Sequence, residues 1–375
     1  MINKERVLAE FFELVKIKCS TREEREVADV LKVRLAELGL EVTEDQVGEI
    51  IGGNCGNVIA YKPGTIQDAP TLMLSAHMDC VEPCGGIEPQ LKDGVITSVG
   101  DTILGADDKA GVVAILEALR IVNEENISHG PIQVVFTVAE EGGLNGAKAI
   151  DPAALKADFG YALDSGGGPG EIITMAPGQN SITVLIHGRK AHAGVAPEEG
   201  INAIVVAGKA LAEMQIGRID FETTSNAGII SGGIATNIVP DLVEVKCEAR
   251  SRNMKKLEVQ TLHMKETFEQ VATANGAQAE VKVETAYGPY VLSETDPVVT
   301  LAVKAAESIS LIPEIKATGG GSDANFFNNY GVPTAVLGVG MSKVHTKDEY
   351  IKEIDLYNSA ELVTALIKTA ANMKK

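Results

Sequence analysis

Two adjacent carboxylates close the apolar run in VVFTVAEEGG, residues 134–143. Val134, Val135, Phe136 and Val138 have the β-branched and aromatic character of a buried strand. Glu140 and Glu141 follow at its tip, then two glycines. Like charges side by side repel, and burying either is costly unless a partner or a metal compensates. Other metal-capable side chains stand in comparable places. His77 and Asp79 end TLMLSAHMD. Residues i and i+2 of an extended segment point to one side, and α/β sheets place their ligands at the carboxyl ends of strands. Asp107 and Asp108 open an apolar helix in LGADDKAG. An Asp there is also a good N-cap, while the Gly-Ala approach lets the backbone come close to a ligand. Asp164 ends FGYALDS before a glycine run, and His345 lies in GMSKVHTKDEY after the strand-like VPTAVLGVG. A cap, a loop or a solvated acid explains each residue alone. Five in order, each close behind an apolar segment, point to a metal centre. Imidazole and carboxylate ligands suit zinc, with manganese or cobalt as alternatives.

The elements that must position these residues are legible in outline. Up to about residue 178 helical and strand-like segments alternate. Helices are expected at roughly 3–17, 21–38 and 108–123, and strands at GNVIAYKP, TLMLSAHMD, PIQVVFTVAEE and FGYALDS. Short apolar strands separated by helices predict an α/β sheet with helices on both faces. Residues 179–286 read as strand, helix, strand, strand, helix, strand, the ferredoxin-like order. Helices near 297–309, 323–328 and 355–374 then return to the first pattern. The expectation is an α/β domain of residues 1–178 and 287–375, with residues 179–286 inserted as a compact second domain.

The 375 residues exceed one small core. A net charge of −19 with no Lys/Arg-rich block argues against nucleic acid or an anionic membrane as partner. The first residues lack the apolar core of a signal peptide, and no apolar stretch is long enough to span a bilayer. Five scattered cysteines read as reduced thiols, so a cytoplasmic location is expected. Cys80 and Cys84 have a zinc-like spacing without a second pair to complete a site. They read as loop thiols.

SAHMD, LGADDKAGV, VAEEGG, ALDSGG and VHTKDE together resemble the cocatalytic dizinc metallopeptidase superfamily. This superfamily includes peptidase T, glutamate carboxypeptidase, aminoacylase and succinyl-diaminopimelate desuccinylase. LGADDKAG is closest to the peptidase T branch. GRKAHAGVAPEEGINA and GGIATNIVP are similar to its lid motifs, so the resemblance spans nearly the whole chain. Cys80 departs mildly from it, since a small β-branched residue is usual there.

The resemblance implies a mixed-sheet α/β catalytic domain with an inserted ferredoxin-like lid that also dimerises. It implies that His77, Asp107 and Asp164 hold one zinc, and that Asp107, Glu141 and His345 hold a second, with Asp107 bridging. Asp79 would orient His77 by a hydrogen bond. Glu140 would be the general base, and the Asp107–Asp108 peptide would be cis. His192 would stabilise the oxyanion, by resemblance in the site of a partner subunit. Asn237 and Arg250 would contact substrate, and the loop Gly319, Gly320, Gly321 and Ser322 offers backbone N–H groups and close approach for it, with a plain flexible turn as the competing view. Arg250 suits a carboxylate by bidentate pairing, although a solvated strand arginine is the competing view and Arg252 stands nearby. The implied activity is hydrolysis of amide bonds in short peptides, as a tripeptide aminopeptidase. Carboxypeptidase and N-acyl amino acid amidohydrolase activities use the same ligand set, and a non-catalytic metal-binding scaffold is the reading from another class.

Overall fold

Four apolar runs with no charge at their centres become the middle of a mixed sheet. They are Leu72–His77, Ile132–Thr137, Phe159–Ser165 and Thr334–Gly338. The structure is a computed structural model that describes residues 2–66 and 68–374. Leu72–His77 lies between Ile132–Thr137 and Phe159–Ser165 and is parallel to both, and Thr334–Gly338 continues parallel beyond Phe159–Ser165. Val58–Lys62 and Glu171–Ala176 flank this set antiparallel, and Glu41–Glu44 pairs outside Val58–Lys62. Every residue of Leu72–His77 and of Ile132–Thr137 is buried. Full burial explains why these strands read as continuous apolar runs instead of alternating ones. Because the four central strands are parallel, their carboxyl ends share one edge, and the chemistry-bearing residues follow there.

The helix Ala106–Glu124 packs on Leu72–His77 and Phe159–Ser165 and against the helix Glu353–Ala370. Glu117, which interrupts its apolar sequence, is fully buried. Arg6 meets its carboxylate at 2.7 and 2.8 Å, which makes the burial tolerable. Gly111 lies where this helix crosses the neighbouring strand. A Cβ there would stand 2.6 Å from Asp108 Oδ1 and 2.7 Å from the Leu163 carbonyl oxygen.

A second, three-stranded sheet joins Glu88–Lys92, Val95–Val99 and Tyr350–Lys352. The sequence reading above places no strand over residues 88–99, because these strands are short and carry a single buried residue between them. Their turn does carry a signal. Asp93 and Gly94 both have positive φ, 51° and 77°, as an Asp-Gly hairpin turn requires.

The chain forms two compact units. One comprises Met1–Thr174, Leu292–Ala317 and Ser322–Lys375, and the other Met175–Val291 with Thr318–Gly321. The second contains Gly178–His187, Ala203–Glu213, Thr223–Gly232, Leu242–Ser251, Met254–Ala274 and Gln278–Tyr287 in chain order. Its antiparallel sheet runs Thr223–Gly232, Leu242–Ser251, Gly178–His187, Gln278–Tyr287, with Gly217–Arg218 at the outer edge. This is the ferredoxin-like arrangement. Gly178–His187 alternates buried and half-buried residues, as a strand with one covered face should. Ile182, Val184, Val243 and Val245 meet Leu257, Met264 and Phe268 of the long helix in its core. Among the described residues, no helix is long and apolar enough to cross a membrane.

Candidate active site

His77 is the last residue of its strand and is 2% exposed. Its Nδ1 lies 3.0 Å from the Asp79 carbonyl oxygen and 3.4 Å from Asp79 Oδ1. The backbone oxygen is thus the nearer partner, and an Nδ1–H donated to it leaves Nε2 with its lone pair available. That Nε2 lies 2.9 Å from Asp107 Oδ1 and 3.9 Å from Asp164 Oδ1. The other oxygen of Asp107 faces His345 Nε2 at 3.4 Å, and the same nitrogen is 2.7 Å from Glu141 Oε1. One carboxylate therefore presents one oxygen to each imidazole.

Three ligand sets converge: His77, Asp107 and Asp164; Asp107, Glu141 and His345; and His77, Glu140 and Glu141. The donor atoms within each lie within 4.8 Å of one another. Electrostatics shows that positive charge belongs among them. Burial pushes Glu140 and Asp164 well above the usual carboxylate range, and Glu140 is raised further by Asp164. Asp107, together with Glu141, lifts His345 to about 10. Acids this close hold protons or cations, and divalent ions relieve the same repulsion without protonating the ligands. The nitrogen and oxygen donors, their spacing and the shared Asp107 fit two divalent metal ions.

The Asp79 carboxylate has a second task. Its oxygens accept the Glu140 N–H at 3.0 Å, the Glu141 N–H at 3.2 Å and the Thr21 hydroxyl at 2.8 Å. It therefore orients the backbone of the glutamate pair as well as facing His77. Ala139, just before the pair, has φ 50°, and its N–H donates to Glu24 Oε1 at 3.0 Å. The Asp107–Asp108 peptide is cis. Asp108 is fully buried; its Oδ2 accepts the His77 N–H at 3.2 Å and its Oδ1 the Gly111 N–H at 3.3 Å. Thr21, Glu24 and Asp108 thus support the site without being foreseen in that role. Thr21 and Glu24 sit in an ordinary helix approach, and Asp108 has the sequence signature of an N-cap.

Asp79, Glu140 and all five expected ligands come together in the first unit. His192, Asn237, Arg250 and Gly320 belong to the second. His192 is exposed, and its Nδ1 accepts the Gly194 N–H at 3.2 Å. Asn237 is also exposed, and its carbonyl accepts the Ala193 N–H. The Arg250 guanidinium pairs with both oxygens of Glu248 at 3.0 Å. Residues two apart on a strand share a face, so a substrate carboxylate would compete with Glu248 for Arg250. Gly320 donates its N–H to Thr318 Oγ1, and Ser322 is buried in the first unit. The five cysteines are all free and buried, Cys80 and Cys84 among them.

The sequence model of peptidase family M20/M25/M40 matches residues 73–369. The chain belongs to this family. The peptidase is similar to the crystal structure of aminopeptidase PepT from Bacillus cereus ATCC 10987, with 46% identity and a TM-score of 0.93, covering 99% of this chain and 100% of that one. It is also similar to a tripeptidase from Staphylococcus aureus subsp. aureus Mu50, with 41% identity and a TM-score of 0.96 over 100% of both chains. Peptidase T of Clostridium botulinum strain Hall is 27% identical over 407 residues, covering 98% of this chain and 99% of that protein. The chain is a hydrolase acting on peptide bonds, and the mixed α/β fold is the one its relatives share.

Proposed function

We propose that the peptidase removes the amino-terminal residue of short peptides, tripeptides in particular, using two divalent metal ions, zinc in the first instance. The observation that carries the site is the division of Asp107 between His77 Nε2 and His345 Nε2. The names of the similar aminopeptidase and tripeptidase support the choice of substrate. His77, Asp107 and Asp164 would hold one ion, and Asp107, Glu141 and His345 the other. Such ions, when bound, acidify water and polarise a carbonyl.

The protein's own groups do the rest. Glu140 takes the proton of the attacking water and passes it to the leaving amine. Burial raises its carboxyl, and bound cations would oppose that rise. Asp79 keeps the Glu140 backbone in place through its N–H. His192 is assigned to the developing oxyanion as a donor through a ring N–H. It would serve the site of a second copy in a homodimer formed through the second unit. Asn237, Arg250, Gly320 and Ser322 are assigned to the peptide, with Arg250 taking its carboxylate in exchange for Glu248.

The test is a panel of di-, tri- and N-acylated peptides with added zinc, manganese or cobalt, read by the free amino acids released. The first residue should leave tripeptides fastest. Release from the carboxyl end, or deacylation of N-acyl amino acids in preference to tripeptides, would replace this reading.

A further inference from the structure

Glu349 stands four residues after His345, where the loop that carries it ends. It is 1% exposed. Its Oε2 accepts the N–H groups of Leu104 and Gly105, both at 2.8 Å, and its Oε1 accepts the N–H of Asp107 at 3.1 Å. Burial raises its carboxyl, and the N–H of Gly105 is the largest influence in the other direction. Three backbone donors are a strong set for a carboxylate, since bonds to a charged acceptor are roughly twice as strong as neutral ones. The partners lie 242–245 residues away in sequence. One side chain therefore ties the loop carrying His345 to the loop carrying Asp107.

Both loops depart from regular backbone, and the His345 loop does so at two non-glycine residues. Gly105 has φ 74°, and Asp107 and Asp108 depart from helical angles at the start of their helix. His345 and Lys343 have φ 63° and 53°. Left-handed backbone is unfavourable by about 1–2 kcal/mol for an L-residue and persists where its surroundings over-determine it. Ser342 and Tyr350 close the base of the His345 loop by exchanging N–H···O bonds at 2.9 and 3.0 Å. Tyr350–Lys352 is in turn paired to Val95–Val99. The Glu349 carboxylate extends that anchored base to Asp107.

We propose that Glu349 is a positioning residue for the metal centre. By holding the N–H groups of Leu104, Gly105 and Asp107 it sets the separation of Asp107 from His345. It thereby sets the affinity of the ion that Asp107, Glu141 and His345 share. It touches no reacting atom. The inference rests on the two-ion reading above, and the experiment separates the two.

Chelator-stripped protein is dialysed against graded zinc, and bound zinc per chain is measured for wild type, His345→Ala, Glu349→Gln and the double variant. His345→Ala should lower the stoichiometry from two to one. Glu349→Gln keeps the shape but offers one acceptor oxygen, which serves either Asp107 or the Leu104–Gly105 pair. It should bind the second ion about 10–100-fold more weakly, as with other groups that orient metal ligands. In the His345→Ala background the same change should alter the remaining ion's affinity much less. Wild-type affinity for both ions in Glu349→Gln, or an equal loss with and without His345, overturns the proposal. Two ions retained by His345→Ala would instead refute His345 as a ligand, and a single ion in wild type would refute the two-ion reading. Where Glu349→Gln fails to fold, Glu349→Asp repeats the measurement. It keeps the charge, shortens the reach and is expected to weaken the same ion.

Discussion

Glu140 and Glu141 are neighbours in the chain but face different partners. Glu141 meets His345 at 2.7 Å, whereas Glu140 is raised by burial and by Asp164. A pair of adjacent residues can divide its work this way because the backbone here is not a regular strand. Ala139 turns through a left-handed conformation, and Asp79 grips both following N–H groups. The residue-scale prediction uses that division. Glu140→Gln preserves size and one acceptor oxygen but cannot accept the proton. Turnover should fall about 10²–10⁴-fold, the usual contribution of a general acid–base, while bound metal measured by elemental analysis stays at two ions per chain. Loss of metal in that variant would make Glu140 a ligand.

Strands and helices bring the ligands together by simple rules. Four parallel strands deliver His77, the glutamate pair and Asp164 to one edge, with His345 beyond the fourth. The helix that begins at Asp107 and Asp108 must pass close to the strand that ends in Asp164, and Gly111 permits this. Helix propensity alone predicts that Gly111→Ala stabilises the protein by about 1 kcal/mol. The structure predicts the opposite sign. The added methyl meets a backbone oxygen at 2.7 Å and the Asp108 carboxylate at 2.6 Å. Overpacking of this kind costs about 1–3 kcal/mol. Urea unfolding of the stripped protein should therefore show a lower midpoint with an unchanged slope. A raised midpoint would mean the contact relaxes freely.

At the scale of the whole molecule, acids with perturbed surroundings shape the dependence of stability on pH. Arg25 and then Lys32 hold Glu44 down at about 2. Its contribution is present above its ordinary 4.5 and is lost as pH falls towards 2. Glu24 runs the other way. It is fully buried, and its Oε2 has no hydrogen-bond partner among the described residues. Burial, then Asp79, pushes it up to about 7. Its folded value exceeds its unfolded one, so full stability holds below 4.5 and declines as pH rises through 7. Glu24→Gln keeps an oxygen for the Arg22 and Ala139 N–H groups and removes the titration. Relative to this variant, stripped wild type should lose at most about 3 kcal/mol between pH 4 and 8, measured by urea unfolding. Parallel curves for the two proteins would show that Glu24 does not titrate in this range.

Much of this was open to reading from residues alone. Apolar runs mark the central strands because full burial excludes charge. Acids and imidazoles at their ends stand out because such groups are otherwise excluded there. The ferredoxin-like order of the second unit follows from period-2 and period-3.6 patterning. Other features required the folded chain. That one oxygen of Asp107 faces each imidazole, that Asp79 holds the glutamate backbone, and that Glu248 occupies Arg250 are all matters of side-chain direction. Periodicity does not encode direction at this precision. Glu349 looks like any acid in a mixed loop until the Asp107 segment, 242 residues away, is folded against it. Local sequence determines which segments are strands and what their ends carry. Only tertiary packing decides which distant backbone N–H groups a buried carboxylate meets, because that choice depends on contacts between segments far apart in the chain.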